Sequence, residues 1–442
     1  MNGLSGGICI TPSMTPDRAR EIAAGLDLRA LPADFYANPY PVYTVLRETE
    51  PVKRMPDGSV LLTRYDDLAA VYRDARVFSS DKKVEFAPKY NHPAHGGDAE
   101  EAPLFQHHTT SLVFNDPPLH TRVRKLIMGA LTRRAIADMA PGLVTLVDGL
   151  LDRIAQQGGG DLIEDFASAI PVEIIGNLLG VPHADRAPLR GWSLAILGAL
   201  EPQLTPAQEA LGNQGVREFT SYLKELVTDR RRHPGDPEHD VLTRLIDGEQ
   251  GTGGEQLSEM ELLQNCVFIL NAGHETTTNL IGNALVLLQE QPQALAALQA
   301  LTAGPAPDWA ALEPALTTAV DEFLRFESSN QLGNRRALRP CEVGGVRLDA
   351  GTLLTLCIGA ANRDPAHFPD PDAVDIGRSP NRHLAFGLGI HQCAGLSLAR
   401  LEGRVAIGRF LHRFPQYRLS EAPTRGGRAR FRGFLHAPFT VG

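Results

Sequence analysis

The 442-residue chain of 47.9 kDa carries a formal charge of -9 and a pI near 5.9, which removes any general attraction to nucleic acid. Its 43% hydrophobic and 21% charged residues exclude a disordered chain and leave an enzyme-sized globular body. The five cysteines, Cys9, Cys266, Cys341, Cys357 and Cys393, are odd in number and scattered, so a disulfide framework is excluded and a reducing cytoplasm is expected.

Residues 1–25 are rich in Gly, Ser, Thr and Pro without apolar periodicity and read as a loose tail; residues 26–442 read as a single domain, without repeats or a long linker. No charged leader precedes an apolar run, and no stretch of about 18 apolar residues occurs. Neither secretion nor a membrane anchor is therefore expected. Residues 59–63 predict a strand leading into a helix with Asp66 as its N-cap. Residues 81–106, with three prolines, two adjacent glycines and the histidines His92 and His95 close to His107 and His108, read as an irregular loop. Those histidines lack Cys or carboxylate partners at ligand spacing, so the loop is expected to be solvated and not a metal site.

From residue 119 to about 300 helical periodicity dominates, with breaks expected at Pro141, 158–160, Pro182, 234–237 and 251–254. After Arg335, residues 343–348 and 352–358 look like short strands. The fold class is mainly α with a small β region.

The chemistry concentrates at Phe386-Gly387-Leu388-Gly389-Ile390-His391-Gln392-Cys393-Ala394-Gly395, which runs into a helix. A cysteine at the mouth of a helix sits near free amides and the positive end of the helix dipole, which favour a thiolate. Glycines permit the tight turn, and Phe386 can shield the sulfur. Other readings fail on spacing. The third glycine of a dinucleotide fingerprint is Gln392, the hydrolase-like segments at Gly191 and Gly395 end in Ala and sit in helical context, and no second ligand pair follows for zinc.

Three further segments stand out. Ala272-Gly273-His274-Glu275-Thr276-Thr277 lies in a helix predicted over residues 258–288, with Phe268, Asn271, Ala272, Glu275 and Thr276 at one-face spacing. Glu322 and Arg325 are spaced i, i+3 and can pair. In Asn115-Asp116-Pro117-Pro118-Leu119-His120-Thr121-Arg122-Val123-Arg124, a helix starts and His120 and Arg124 lie one turn apart, able to face one anion.

With Phe386, Gly389, His391, Cys393 and Gly395 all in place and the other three segments in the family's order, the chain resembles the bacterial cytochrome P450 family from about Pro39 to its end. The resemblance implies a cytochrome P450 fold and a haem-thiolate monooxygenase with haem b held by Cys393, O2 as co-substrate, and hydroxylation or O-demethylation of a small, mainly apolar substrate. It implies that His120, Arg124, Arg335 and His391 hold the haem propionates, that Ala272 and Gly273 leave room for O2, and that Glu275 and Thr276 deliver protons. Glu322 and Arg325 are a structural brace, with residues 381–383 in support.

The implied electron route is NAD(P)H through a ferredoxin reductase and a ferredoxin, with Arg122, Lys125, Arg133 and Arg134 as a docking cluster on a monomeric, cytoplasmic enzyme. Phe105, Val113, Phe268, Asn271 and Leu332 are expected to line the substrate pocket. Asn271 is more polar than is usual before the Ala-Gly pair, and Ser329-Asn330-Gln331 replaces a common Pro-Val-Gln turn. A peroxide-driven hydroxylase and a non-catalytic haem sensor remain as alternatives; the intact Glu275-Thr276 pair argues for chemistry driven by O2.

Overall fold

The computed structural model describes residues 11–89, 102–249 and 257–442. It is built from helices around one long central helix, Glu259–Leu288, whose Ser258 cap and Glu261 form a capping box. This 30-residue helix is buried along most of its length. A helix apolar nearly all round needs neighbours on every side. It packs on Ala169–Leu178, Leu189–Gly198, Pro206–Arg232 and Leu396–Arg413.

A five-stranded sheet stands beside the helices in the order Val52–Arg54, Val60–Leu62, Leu353–Cys357, Leu332–Ala337, Phe78–Ser79. Val60–Leu62 pairs in parallel with Leu353–Cys357 (Leu62 opposite Leu356), and Leu332–Ala337 runs antiparallel to it (Arg335 opposite Leu354). Leu332–Ala337 is thus the strand that carries Leu332 and Arg335. The predicted segment 343–348 is a hairpin of Cys341–Val343 and Val346–Leu348 around Gly344 and Gly345, both at positive φ.

Four sequence expectations need correction. Residues 16–24 are not tail but the helix Pro16–Ala24, capped by Thr15 and burying Ala19, Ile22 and Ala23; the Gly- and Ser-rich composition around it hides a proper Thr-Pro start. Asp66 is not an N-cap: the helix Tyr65–Arg73 begins after Arg64, with Asp66 in its first turn. Pro141 does not break Arg133–Gln157. The apolar stripe Ile136, Leu143, Val147 packs on both sides of it, and the helix loses only the amide that proline lacks. The irregular reading of 81–106 gives way to helices Lys83–Lys89 and Pro103–Thr110. His107 and His108 are buried in the second, whereas His92, His95 and the break at 251–254 lie outside the described residues.

Candidate active site

The cysteine loop closes on itself before its helix begins. The Cys393 amide donates to Phe386 O (2.8 Å), Gly387 and Gly389 adopt φ of 63° and 70°, and Gly395 caps the helix Leu396–Arg413. A Cβ on Gly389 would meet Tyr72 O at 2.3 Å, so close approach as well as conformation requires glycine there. Burial pushes the Cys393 thiol up; the Gly395 amide and the charges of Arg124 and Arg400 oppose it. Phe386 lies under the Arg400 guanidinium, 5.1 Å from the ring centre.

Cys393 opens on a cavity of about 360 Å³. Its lining includes Phe386, Gln392, Cys393 and Ala394 of the cysteine loop and Phe268, Asn271, Ala272, Gly273 and Thr276 of the central helix. At one end stand His120, Arg124, Arg335, His391 and Lys82. The His120 and His391 rings are 4.1 Å apart, and both His120 nitrogens and His391 Nε2 are buried without a partner. Burial and the neighbouring cations push His120 down to about 4 and His391 well below its ordinary value. Such a cluster of unpaired donors and cations asks for an anion.

The residues therefore fit a haem. The Cys393 sulfur lines the cavity, and orphaned polar atoms with cations can receive two propionates. Among the described residues no group of three or more His, Cys, Asp or Glu could hold a metal ion directly.

The substrate-side expectations divide. Phe268, Asn271, Leu332 and Val113 line the cavity. Phe105 is not on its lining; it is partly buried and packs against the helical core. Thr276 lines the cavity and donates to Ala272 O at 2.7 Å, the backbone bond usual for a helical threonine. Glu275 points elsewhere. Its Oε1 lies 2.5 Å from Arg428 Nη1, its Oε2 is buried without a partner, and burial raises its carboxyl despite that cation. Gly273 faces the cavity but is small for packing too, since a Cβ there would meet Ile175 Cδ1 at 2.4 Å.

Glu322 and Arg325 pair in full burial, and Asn381 Nδ2 donates to Glu322 Oε2 at 3.1 Å. His383 turns instead to Asp321, at 3.3 Å. In the basic cluster, Arg122 is held by Glu261 at 2.6 Å and Arg134 approaches Asp138 at 3.9 Å; Lys125 and Arg133 are exposed. Arg122 is thus half-buried and paired within the chain.

Among the cavity residues that the sequence did not point to are Lys82, His107, His108, Glu402 and Arg430. The alternation Arg428-Ala429-Arg430-Phe431-Arg432 was a usable signal, because cations at period two in a half-buried extended segment need partners on one face. Arg428 meets Glu275, Arg430 meets Leu332 O and Asn334 Oδ1, and Arg432 meets Glu327.

Among the described residues no helix is long and apolar enough to cross a membrane. The cytochrome P450 family model matches residues 200–424. Cytochrome P450 monooxygenase PikC of Streptomyces venezuelae is 37% identical over 405 residues, 90% of this chain and 89% of that protein. The 6-deoxyerythronolide B hydroxylase of Saccharopolyspora erythraea is 34% identical over 385 residues, covering 86% and 90%. The solved structure of P450BioI in complex with hexadec-9Z-enoic acid ligated acyl carrier protein superposes with a TM-score of 0.82 at 32% identity, covering 93% of this chain and 100% of that one. The cysteine loop, the cavity above it and these likenesses together establish that the chain belongs to the cytochrome P450 family and is one of its monooxygenases.

Proposed function

We propose that this monooxygenase inserts one atom of O2 into a small, mainly apolar organic molecule, by hydroxylation or O-demethylation, with Cys393 as the residue that would hold the iron of haem b. Electrons come from NAD(P)H through a separate ferredoxin reductase and ferredoxin, and the enzyme works as a cytoplasmic monomer. The observation that supports the reading is that Cys393 lines the same cavity as Ala272, Gly273 and Thr276 of the central helix.

A bound haem would supply the activation of O2, with the Cys393 sulfur holding its iron. The chain supplies the rest. His120, Arg124, Arg335 and His391 would hold the propionates. The Thr276 hydroxyl, held against Ala272 O, presents an oxygen at the cavity wall that can take and pass a proton. Glu275 is a positioning residue: its bond to Arg428 ties the central helix to the loop carrying Arg430. Val113, Phe268 and Leu332 keep the substrate space apolar and exclude water.

Two measurements test this. Purified protein, reduced under carbon monoxide, should show the absorption band of thiolate-ligated haem, and Cys393→Ala should lose it. Product should form with NADH, ferredoxin and reductase, and not with peroxide alone; the opposite result would favour a peroxide-driven enzyme.

A further inference from the structure

The central helix and the helix Pro103–Thr110 meet at the roof of the cavity through a chain of buried polar side chains. Asn271 Nδ2 lies 3.2 Å from His107 Nε2, and His107 Nδ1 lies 3.0 Å from Gln264 Oε1 and 3.2 Å from Ser111 Oγ. Ser111 donates its one proton to His107 O at 2.6 Å, so towards the ring it can only accept. Both neighbours of Nδ1 are then acceptors, which places the ring proton on Nδ1 and leaves Nε2 to accept from the Asn271 amide. The amide orientation follows. Asn271 Oδ1 is left without a partner on a residue 2% exposed that lines the cavity.

An unsatisfied buried acceptor at a cavity wall costs free energy until a donor arrives. A second one precedes the strand Leu332–Ala337: Asn330 Oδ1 is also buried, unpartnered and on the lining. Arg430, also on the lining, is engaged by the protein: its Nε, Nη1 and Nη2 donate to Leu200 O, Leu332 O and Asn334 Oδ1.

We propose that the cavity recognises a substrate carrying a hydrogen-bond donor, a hydroxyl or an N–H, on an otherwise apolar body, with Asn271 Oδ1 receiving that donor and His107 as the residue that fixes its direction. This rests on the monooxygenase reading and narrows its substrate class.

The test uses the holoenzyme, first shown to have the thiolate-haem band, and follows the haem spin-state shift with cyclododecanol, its methyl ether, cyclododecanone and cyclododecane. The alcohol should bind about tenfold more tightly than the ether or ketone. Asn271→Leu should abolish that preference while leaving cyclododecane binding unchanged. His107→Phe should shrink the alcohol-to-ether ratio, whereas a merely structural role would weaken all four ligands alike. Equal binding of alcohol and ether, a preference for the ketone, or no shift with the alcohol overturns the proposal. Absence of the thiolate-haem band would instead overturn the reading beneath it.

Discussion

Glu322 and Arg325 form a fully buried, two-pronged ion pair, with Arg325 Nε and Nη2 each 2.8 Å from a Glu322 carboxylate oxygen. Arg325 Nη1 donates to Asn362 O and Pro371 O, and Glu322 accepts from the Asp375 amide, Arg378 and Asn381. The pair therefore clamps the turn-rich segment that leads into the cysteine loop.

Removing one partner should leave the other charged, buried and short of hydrogen bonds, which costs roughly 3–5 kcal/mol. Arg325→Leu is expected to lower the melting temperature steeply and to yield protein with little haem. The double variant Arg325→Leu, Glu322→Leu should lose less than the sum of the two single losses. Thermal unfolding and haem-to-protein ratio check both; normal haem content and melting in Arg325→Leu would refute the brace.

The unpaired rings of His120 and His391 lead to a second expectation. If they receive propionates, His120→Ala with His391→Ala should speed loss of haem to an apomyoglobin acceptor by about 10- to 100-fold, from the loss of two hydrogen bonds to charged groups. The carbon monoxide band of the haem that stays bound should be unchanged, because Cys393 is untouched. Identical transfer rates would show that the two rings face no propionate.

Thr276 and Glu275 separate by their surroundings. Thr276→Ala removes the one hydroxyl of the pair that lies on the cavity lining, so NADH consumption should persist while product per NADH falls several-fold and peroxide rises, within the range usual for a lost proton-transfer group. Arg428→Leu should instead act on the fold. It leaves the Glu275 carboxyl buried without its cation, and unfolding should be easier by about 3 kcal/mol. Full coupling in Thr276→Ala would remove that hydroxyl from proton delivery.

What the sequence disclosed follows distance along the chain. The turn from Phe386 to Gly395 and the i, i+3 pair Glu322-Arg325 are local, so spacing alone reveals them. Glu275 finds Arg428 across 153 positions and His107 finds Asn271 across 164. No periodicity encodes such meetings. His107 also looked solvated, because the prolines and glycines of residues 81–106 mask a helix that tertiary packing creates. Phe105 is in the same segment, and a segment read as loop gives no basis for telling which of its residues pack into the core and which line the cavity.

Glu402 offers a test of the cavity floor through pH. It is 3% exposed, its Oε2 has no partner, and burial pushes its carboxyl up to about 8 from an ordinary 4.5. Below pH 4.5 the carboxyl is protonated whether folded or unfolded, so it contributes no pH dependence. As pH rises past 4.5 the unfolded chain releases the proton and the folded chain keeps it, so stability falls until about pH 8, by on the order of 5 kcal/mol. Glu402→Gln cannot ionise and should escape this loss. The variant should match wild type in melting temperature near pH 4.5 and exceed it at pH 8, with the gap opening between those values. A gap that does not change with pH would mean that Glu402 is ionised and paired in the folded enzyme.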